Sequence, residues 1–149
     1  MKKIALLMAA LTFLACGCKS HKSAVVNVAP QFQPDEVWVL TAIRDKAVTY
    51  AEGQRICTIV INPEAGTFNG CSGCNRYFGN FKDLGKGKIE LSDYNGTKMA
   101  CPENFMALER SYMQQLHKVD GYELGAYTLE LKQGDKVVLT FAKQEEDKK

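Results

Sequence analysis

The chain has 149 residues, 46% hydrophobic and 24% charged, the length of one domain and the composition of a folded globular protein. Its formal charge is +2, and Lys2 and Lys3 alone account for that excess. The rest of the chain is balanced, which excludes an intrinsically disordered polyelectrolyte and a basic surface for nucleic acid.

Residues 1–18 read as a secretory leader of the lipoprotein type. Lys2 and Lys3 form the positive end, residues 4–14 an apolar run broken only by Thr12, and Ala15 and Gly17 stand beside Cys16 and Cys18. The run is shorter than the roughly 20 residues that span a membrane. Cleavage of such leaders falls before a cysteine that follows a small residue, so Cys18 or Cys16 carries the lipid. Cleavage at Cys18 leaves an even set downstream, Cys57, Cys71, Cys74 and Cys101, and parity favours it. The expected location is the cell envelope, lipid-anchored at the outer membrane and facing the periplasm, because Lys19 and Ser20 start no acidic run.

Residues 19–34 are polar with two prolines and read as a flexible tether; residues 144–149 read as a charged, solvated tail. Residues 35–143 are the domain. In chain order, residues 37–43 alternate as a first strand, with Trp38 on the core side, and residues 55–61 form a second. Residues 62–66 are a turn by composition, and residues 67–71 return as a third strand. Residues 77–81 and 88–91 are two further short strands. Tyr77, Phe78 and Phe81 are assigned to the core. Residues 102–119 carry Phe105, Leu108, Tyr112, Leu116 and Val119 at helical spacing, with Pro102 and Glu103 suited to the first turn and Gly121 as a stop. The final hairpin, folded about Gly134, puts Leu131 opposite Val137, Leu129 opposite Leu139 and Tyr127 opposite Phe141, with Thr128 and Thr140 paired outside. These elements predict an α+β domain, a small antiparallel β-barrel-like sheet with one long helix.

Cys57 and Cys71 lie symmetrically about Glu64. A hairpin in that register opposes them at a Cα separation that a disulfide tolerates. Cys74 and Cys101 then remain as a second pair, worth about 3–4 kcal/mol in chain-entropy terms. Cys71-Ser72-Gly73-Cys74 is also a C-x-x-C, but no βαβ unit surrounds it and the residues after it are poor helix formers. Paired cysteines in an exported domain ordinarily act as staples.

Nothing else carries catalytic or metal-binding spacing. His21 and His117 are isolated, and there is no G-x-S-x-G, no P-loop and no His–carboxylate–nucleophile set. Asp93, Glu103 and Glu109 read as caps or solvated charges.

Three stretches resemble the META domain family, which includes HslJ-like bacterial heat-shock proteins. They are Trp38-Val39-Leu40, then Gly70 through Gly79 with Gly73-Cys74-Asn75 at its centre, then Thr97-Lys98-Met99-Ala100-Cys101. The helix bearing Glu109 and Leu116 and the tail hairpin come next, in the family's order. The resemblance implies a small barrel-like domain with a helix, exported or anchored, linked to stress and to sensitivity towards some antibiotics, with no catalytic residues. Its motif positions are Gly73, Cys74, Asn75, Thr97, Met99, Ala100 and Cys101, which read as fold-maintaining. Cys57 and Cys71 lie outside the family core.

The function expected is that of a non-enzymatic, envelope-anchored lipoprotein acting by binding or in a stress response. The alternatives are a periplasmic thiol-disulfide oxidoreductase using Cys71 and Cys74, or a barrel that binds a small ligand in its mouth. No cofactor and no metal are expected. The expected partners are the membrane, through the lipid, and an unidentified protein or small molecule; the chain is read as a monomer.

Overall fold

A computed structural model describes residues 30–145. The leader, Cys16 and Cys18, most of the tether and residues 146–149 lie outside the described residues. The fold is α+β, an antiparallel sheet closed into a barrel-like ring and served by one helix.

The ring begins with β1 (Val37–Ile43) and a two-residue appendage, β2 (Lys46–Ala47). It continues through β3 (Thr58–Asn62), β4 (Thr67–Cys71), β5 (Arg76–Gly85) and β6 (Lys88–Gly96). After the helix α1 (Glu103–Leu116) come β7 (Gly121–Leu124), β8 (Thr128–Gln133) and β9 (Lys136–Lys143). The sheet order is β2-β1-β3-β4-β5-β6-β7-β8-β9, and β9 also pairs with β1, which closes the ring. Closure removes the exposed edges that an open sheet of this size would present. The thinnest join is β6–β7, where the ladder is the single pair Lys88↔Gly121. Ile89 donating to the Asp120 carbonyl and Tyr122 donating to the Gly87 carbonyl supplement it.

Period-2 alternation fills the interior. Trp38 and Leu40 from β1, Ile59 and Ile61 from β3, Phe68 from β4, Leu129 and Leu131 from β8, and Phe141 from β9 are all buried. The helix adds Tyr112 and Leu116 from its apolar stripe to the same core. Pro102 stands at the N-cap rather than inside the first turn, and the helix ends at Leu116 rather than running to 119. The Tyr94 hydroxyl donates to the Leu116 carbonyl at 3.0 Å, satisfying one orphan acceptor of the last turn.

The packed chain starts ahead of Asp35. Phe32 is buried, with ring centroids 5.8 Å from Phe81 and 5.0 Å from Tyr122, so the last residues assigned to the tether belong to the domain.

Two registers differ from the sequence expectation. Gln133 pairs with Lys136 around a two-residue turn, and the β8–β9 ladder then shifts between Leu131 and Lys132. Val138 is the extra residue, and it is buried beside Leu139, as a β-bulge allows. Leu129 therefore faces Phe141, Leu131 faces Leu139, and Thr140 faces Glu130 rather than Thr128. In the β3–β4 hairpin Asn62 pairs with Thr67, so the turn centres between Glu64 and Ala65 and not on Glu64. The Asn62 side chain fixes that turn by accepting the Ala65 N–H at 2.9 Å.

Candidate functional site

The motif residues converge where the β4–β5 turn, the segment before the helix and the helix itself meet. The turn closes when the Ser72 N–H donates to the Asn75 carbonyl at 2.8 Å. Gly73 holds φ +99°, and a Cβ there would sit 3.2 Å from Gln54 Nε2 and 3.4 Å from Cys57 Sγ. Glycine supplies both the left-handed backbone and the clearance.

Asn75 is 7% exposed, and its side chain is used at both ends. Its Oδ1 accepts from the Met99 N–H at 2.7 Å and from the Thr97 hydroxyl at 2.8 Å. Its Nδ2 donates to Glu109 Oε1 at 2.9 Å, and its backbone N–H donates to Glu109 Oε2 at 2.9 Å. The Ser72 hydroxyl donates to the same Oε2 at 2.5 Å. Thr97 returns to the strand, its Oγ1 accepting the Arg76 N–H at 3.1 Å. One asparagine and one glutamate thus tie three separate chain segments together, the bonds to the Glu109 carboxylate being charge-assisted. Ala100 lies exposed between Met99 and Cys101 and makes none of these bonds.

Cys74 and Cys101 are disulfide-bonded across a sequence separation of 27, with Cα atoms 6.1 Å apart. The bond staples the same junction that Asn75 and Glu109 tie.

Cys57 and Cys71 are free thiols, contrary to the expected cross-strand bridge. The one-residue register shift explains this: Cys71 pairs with Thr58, which leaves Cys57 on the inward parity and Cys71 on the outward one. Within the C-x-x-C, Cys71 is therefore unpaired and Cys74 is bonded elsewhere.

Cys57 lies against a cluster of interior phenols. Tyr77 donates to the Thr58 carbonyl at 2.7 Å, and the hydroxyls of Tyr77 and Tyr112 are 2.5 Å apart, so Tyr112 donates to Tyr77. Tyr50 donates to the Leu40 carbonyl at 2.9 Å and accepts the Cys57 N–H at 3.2 Å. Burial pushes the Cys57 thiol up to about 12, and nearby Cys71 adds to the rise. Burial also holds the Tyr77 and Tyr112 hydroxyls well above the ordinary phenol range.

Of the residues read as surface charges, Glu103 pairs with exposed Arg110, and Asp93 accepts from Asn80 Nδ2 at 2.6 Å. Glu109 is the exception, being half-buried in the junction. Its spacing from Tyr112 and Leu116 puts it on the inward stripe, which is the signal that could have found it. Trp38, Tyr77 and Phe81 are in the core as expected, but Phe78 is not: it is 56% exposed. Strand parity forces this, since Tyr77, Gly79 and Phe81 take the inward positions of β5.

A META domain family model matches residues 30–146. The chain belongs to the META domain family. Among solved structures, this META domain is similar to the NMR structure of a protein from Burkholderia xenovorans. Identity is 29%, coverage 83% of this chain and 97% of that one, and the TM-score 0.59. A second protein solved by NMR matches at 25% identity, covering 73% of this chain and 89% of the other, with a TM-score of 0.56. A search of curated protein sequences found no match. The motif residues that carry the sequence resemblance, Ala100 apart, are gathered at the Asn75–Glu109 junction.

Proposed function

We propose that this META domain is a non-enzymatic module, held at the cell envelope by an N-terminal lipid on Cys18 or Cys16, that supports envelope integrity under stress by binding a partner. The observation that carries the reading is the use made of the motif side chains. Asn75 is bonded at both ends of its amide, and Glu109 takes two N–H protons and the Ser72 hydroxyl, so these groups act as loop anchors. The interior is occupied by aromatic and aliphatic side chains, which directs recognition to the outer surface. The leader and the cysteine beside its small residues support the anchoring.

The test is genetic and uses the full chain. Deletion is expected to sensitise cells to envelope stress, and a chain with both Cys16→Ala and Cys18→Ala is expected not to restore resistance. A deletion without any stress phenotype, or full rescue by the chain that cannot be lipidated, would overturn the reading.

A further inference from the structure

The outward face of β4, β5 and β6 carries an exposed aromatic ring among polar side chains. Its centre is Phe78, 56% exposed. The ladders align Asn69 on one side of Phe78 and Asn95 on the other, and the next row out aligns Thr67 with Asn80. Cross-strand neighbours on one face are close enough to act on one ligand. Together with Asp93 these residues line a shallow, open depression of about 350 Å³.

Asp93 is set into this face by an irregular backbone. It holds φ +52°, and the β5–β6 ladder shifts register beside it, between Phe78 and Asn80. Asparagine and aspartate tolerate that conformation better than other side chains, and such irregularities re-aim side chains. The Asp93 carboxylate takes the Asn80 amide at 2.6 Å, and the Asp93 carbonyl takes the Asn95 amide at 2.8 Å. Both amides are thereby oriented, and each keeps an Oδ1 not used in those bonds.

The chemistry of the lining selects among ligands. No lysine or arginine lines the depression, so a phosphate or other anion has no counter-charge there. A single apolar side chain is too little for an amphipathic helix, which needs a row of apolar anchors. One flat aromatic ring edged by amides, a hydroxyl and a carboxylate matches a pyranose, whose C–H face packs on the ring while its hydroxyls meet the polar rim. An open depression crossing three strands suits an internal stretch of a chain.

We infer that this face, centred on Phe78, binds a pyranose segment of a neutral glycan chain. The inference rests on the reading of the domain as a binding module and names the class of partner.

The experiment is calorimetric titration of the full chain, purified in a zwitterionic detergent without a sugar headgroup. The probes are chitotetraose, cellotetraose and maltotetraose. Saturable binding of at least one is expected, weakened about tenfold by Phe78→Ala and also weakened by Asn69→Ala. Both side chains point to solvent, and an unchanged urea midpoint confirms the fold. Binding of chitotetraose alone would assign an N-acetylated glycan; binding of all three would assign recognition of the ring. No heat with any probe, or binding that neither substitution weakens, overturns the inference. The stress phenotype of the deletion is independent of that outcome, so failure here is separable from failure of the proposed function.

Discussion

Asn75 meets Glu109 twice, through its side-chain Nδ2 and its backbone N–H, each at 2.9 Å. The pair joins the β4–β5 turn to the middle of the helix across 34 positions of sequence. Removing the carboxylate leaves the Asn75 backbone N–H without its acceptor in a partly desolvated junction, and leaves the Ser72 hydroxyl only the Asn75 carbonyl at 2.9 Å and the Asn75 Nδ2 only the Met99 carbonyl at 3.4 Å. Glu109→Ala is therefore expected to cost about 2–3 kcal/mol. Glu109→Gln keeps one oxygen acceptor and loses less. Urea unfolding followed by circular dichroism measures both, and a Glu109→Gln cost near zero would count against charge-assisted bonding.

Reduction of the Cys74–Cys101 bond should act on the same junction through the unfolded chain. For a loop with sequence separation 27, chain-entropy reasoning gives a loss of about 3.5 kcal/mol. The joint replacement Cys74→Ala with Cys101→Ala should reproduce it. Because Asn75 and Glu109 hold the same elements, combining Glu109→Ala with loss of the disulfide should cost an amount different from the two added. Simple additivity would show that the two restraints are independent.

The free thiols should differ in reactivity. Cys57 is fully buried and its thiol is pushed up to about 12 by burial, whereas Cys71 is partly exposed. A thiol reagent at neutral pH should label Cys71 in the native protein and Cys57 only after denaturation. Rapid native labelling of Cys57 would contradict its placement.

The same shift sets a stability window. A thiol that ionises near 9 when unfolded and near 12 when folded contributes stability that is intact below 9. That contribution is lost as pH rises towards 12, because the unfolded chain releases its proton first. Tyr77 and Tyr112, also raised by burial, act in the same direction above 10. Urea midpoints should hold steady through neutral pH and fall across the alkaline range, and Cys57→Ala should flatten the first part of that fall.

Most of the fold was legible where periodicity is strong. Trp38 and Leu40 of β1, Tyr112 and Leu116 of the helix and Leu129 and Leu131 of β8 are buried as their spacing requires. What escaped depended on partners. Residues 92–96 of β6 are Ser, Asp, Tyr, Asn and Gly, a poor strand by propensity, yet their pairing with β5 carries the strand through. β7 is four residues long with two large apolar side chains, too short for alternation to register. The Cys57–Cys71 bridge failed by a single residue of register, and one residue is enough to turn a side chain to the other face. At the junction, the motif positions were visible as residue types, but the convergence of Asn75 and Glu109 is a tertiary fact. Phe78 reads as a core residue by type, whereas the parity set by Tyr77 and Phe81 places it outside.

Gly70 tests how closely β3 and β4 are packed against the interior phenols. A Cβ at that position would lie 2.0 Å from the Thr58 carbonyl oxygen and 2.6 Å from the Tyr77 hydroxyl. Gly70→Ala must displace the bond between those two groups and is expected to destabilise the domain by about 1–3 kcal/mol. A neutral substitution, read by thermal or urea unfolding, would mean the strands separate without cost.

If the outward face recognises a partner, that role and stability at the Asn75–Glu109 junction should be separable in the cell. The decisive measurement is complementation of a deletion strain under envelope stress with the full chain carrying Phe78→Ala. Phe78→Ala is predicted to reach normal abundance in the membrane fraction yet leave cells stress-sensitive, whereas Glu109→Ala fails through reduced abundance. Full restoration of resistance by Phe78→Ala at normal abundance would contradict that division of roles.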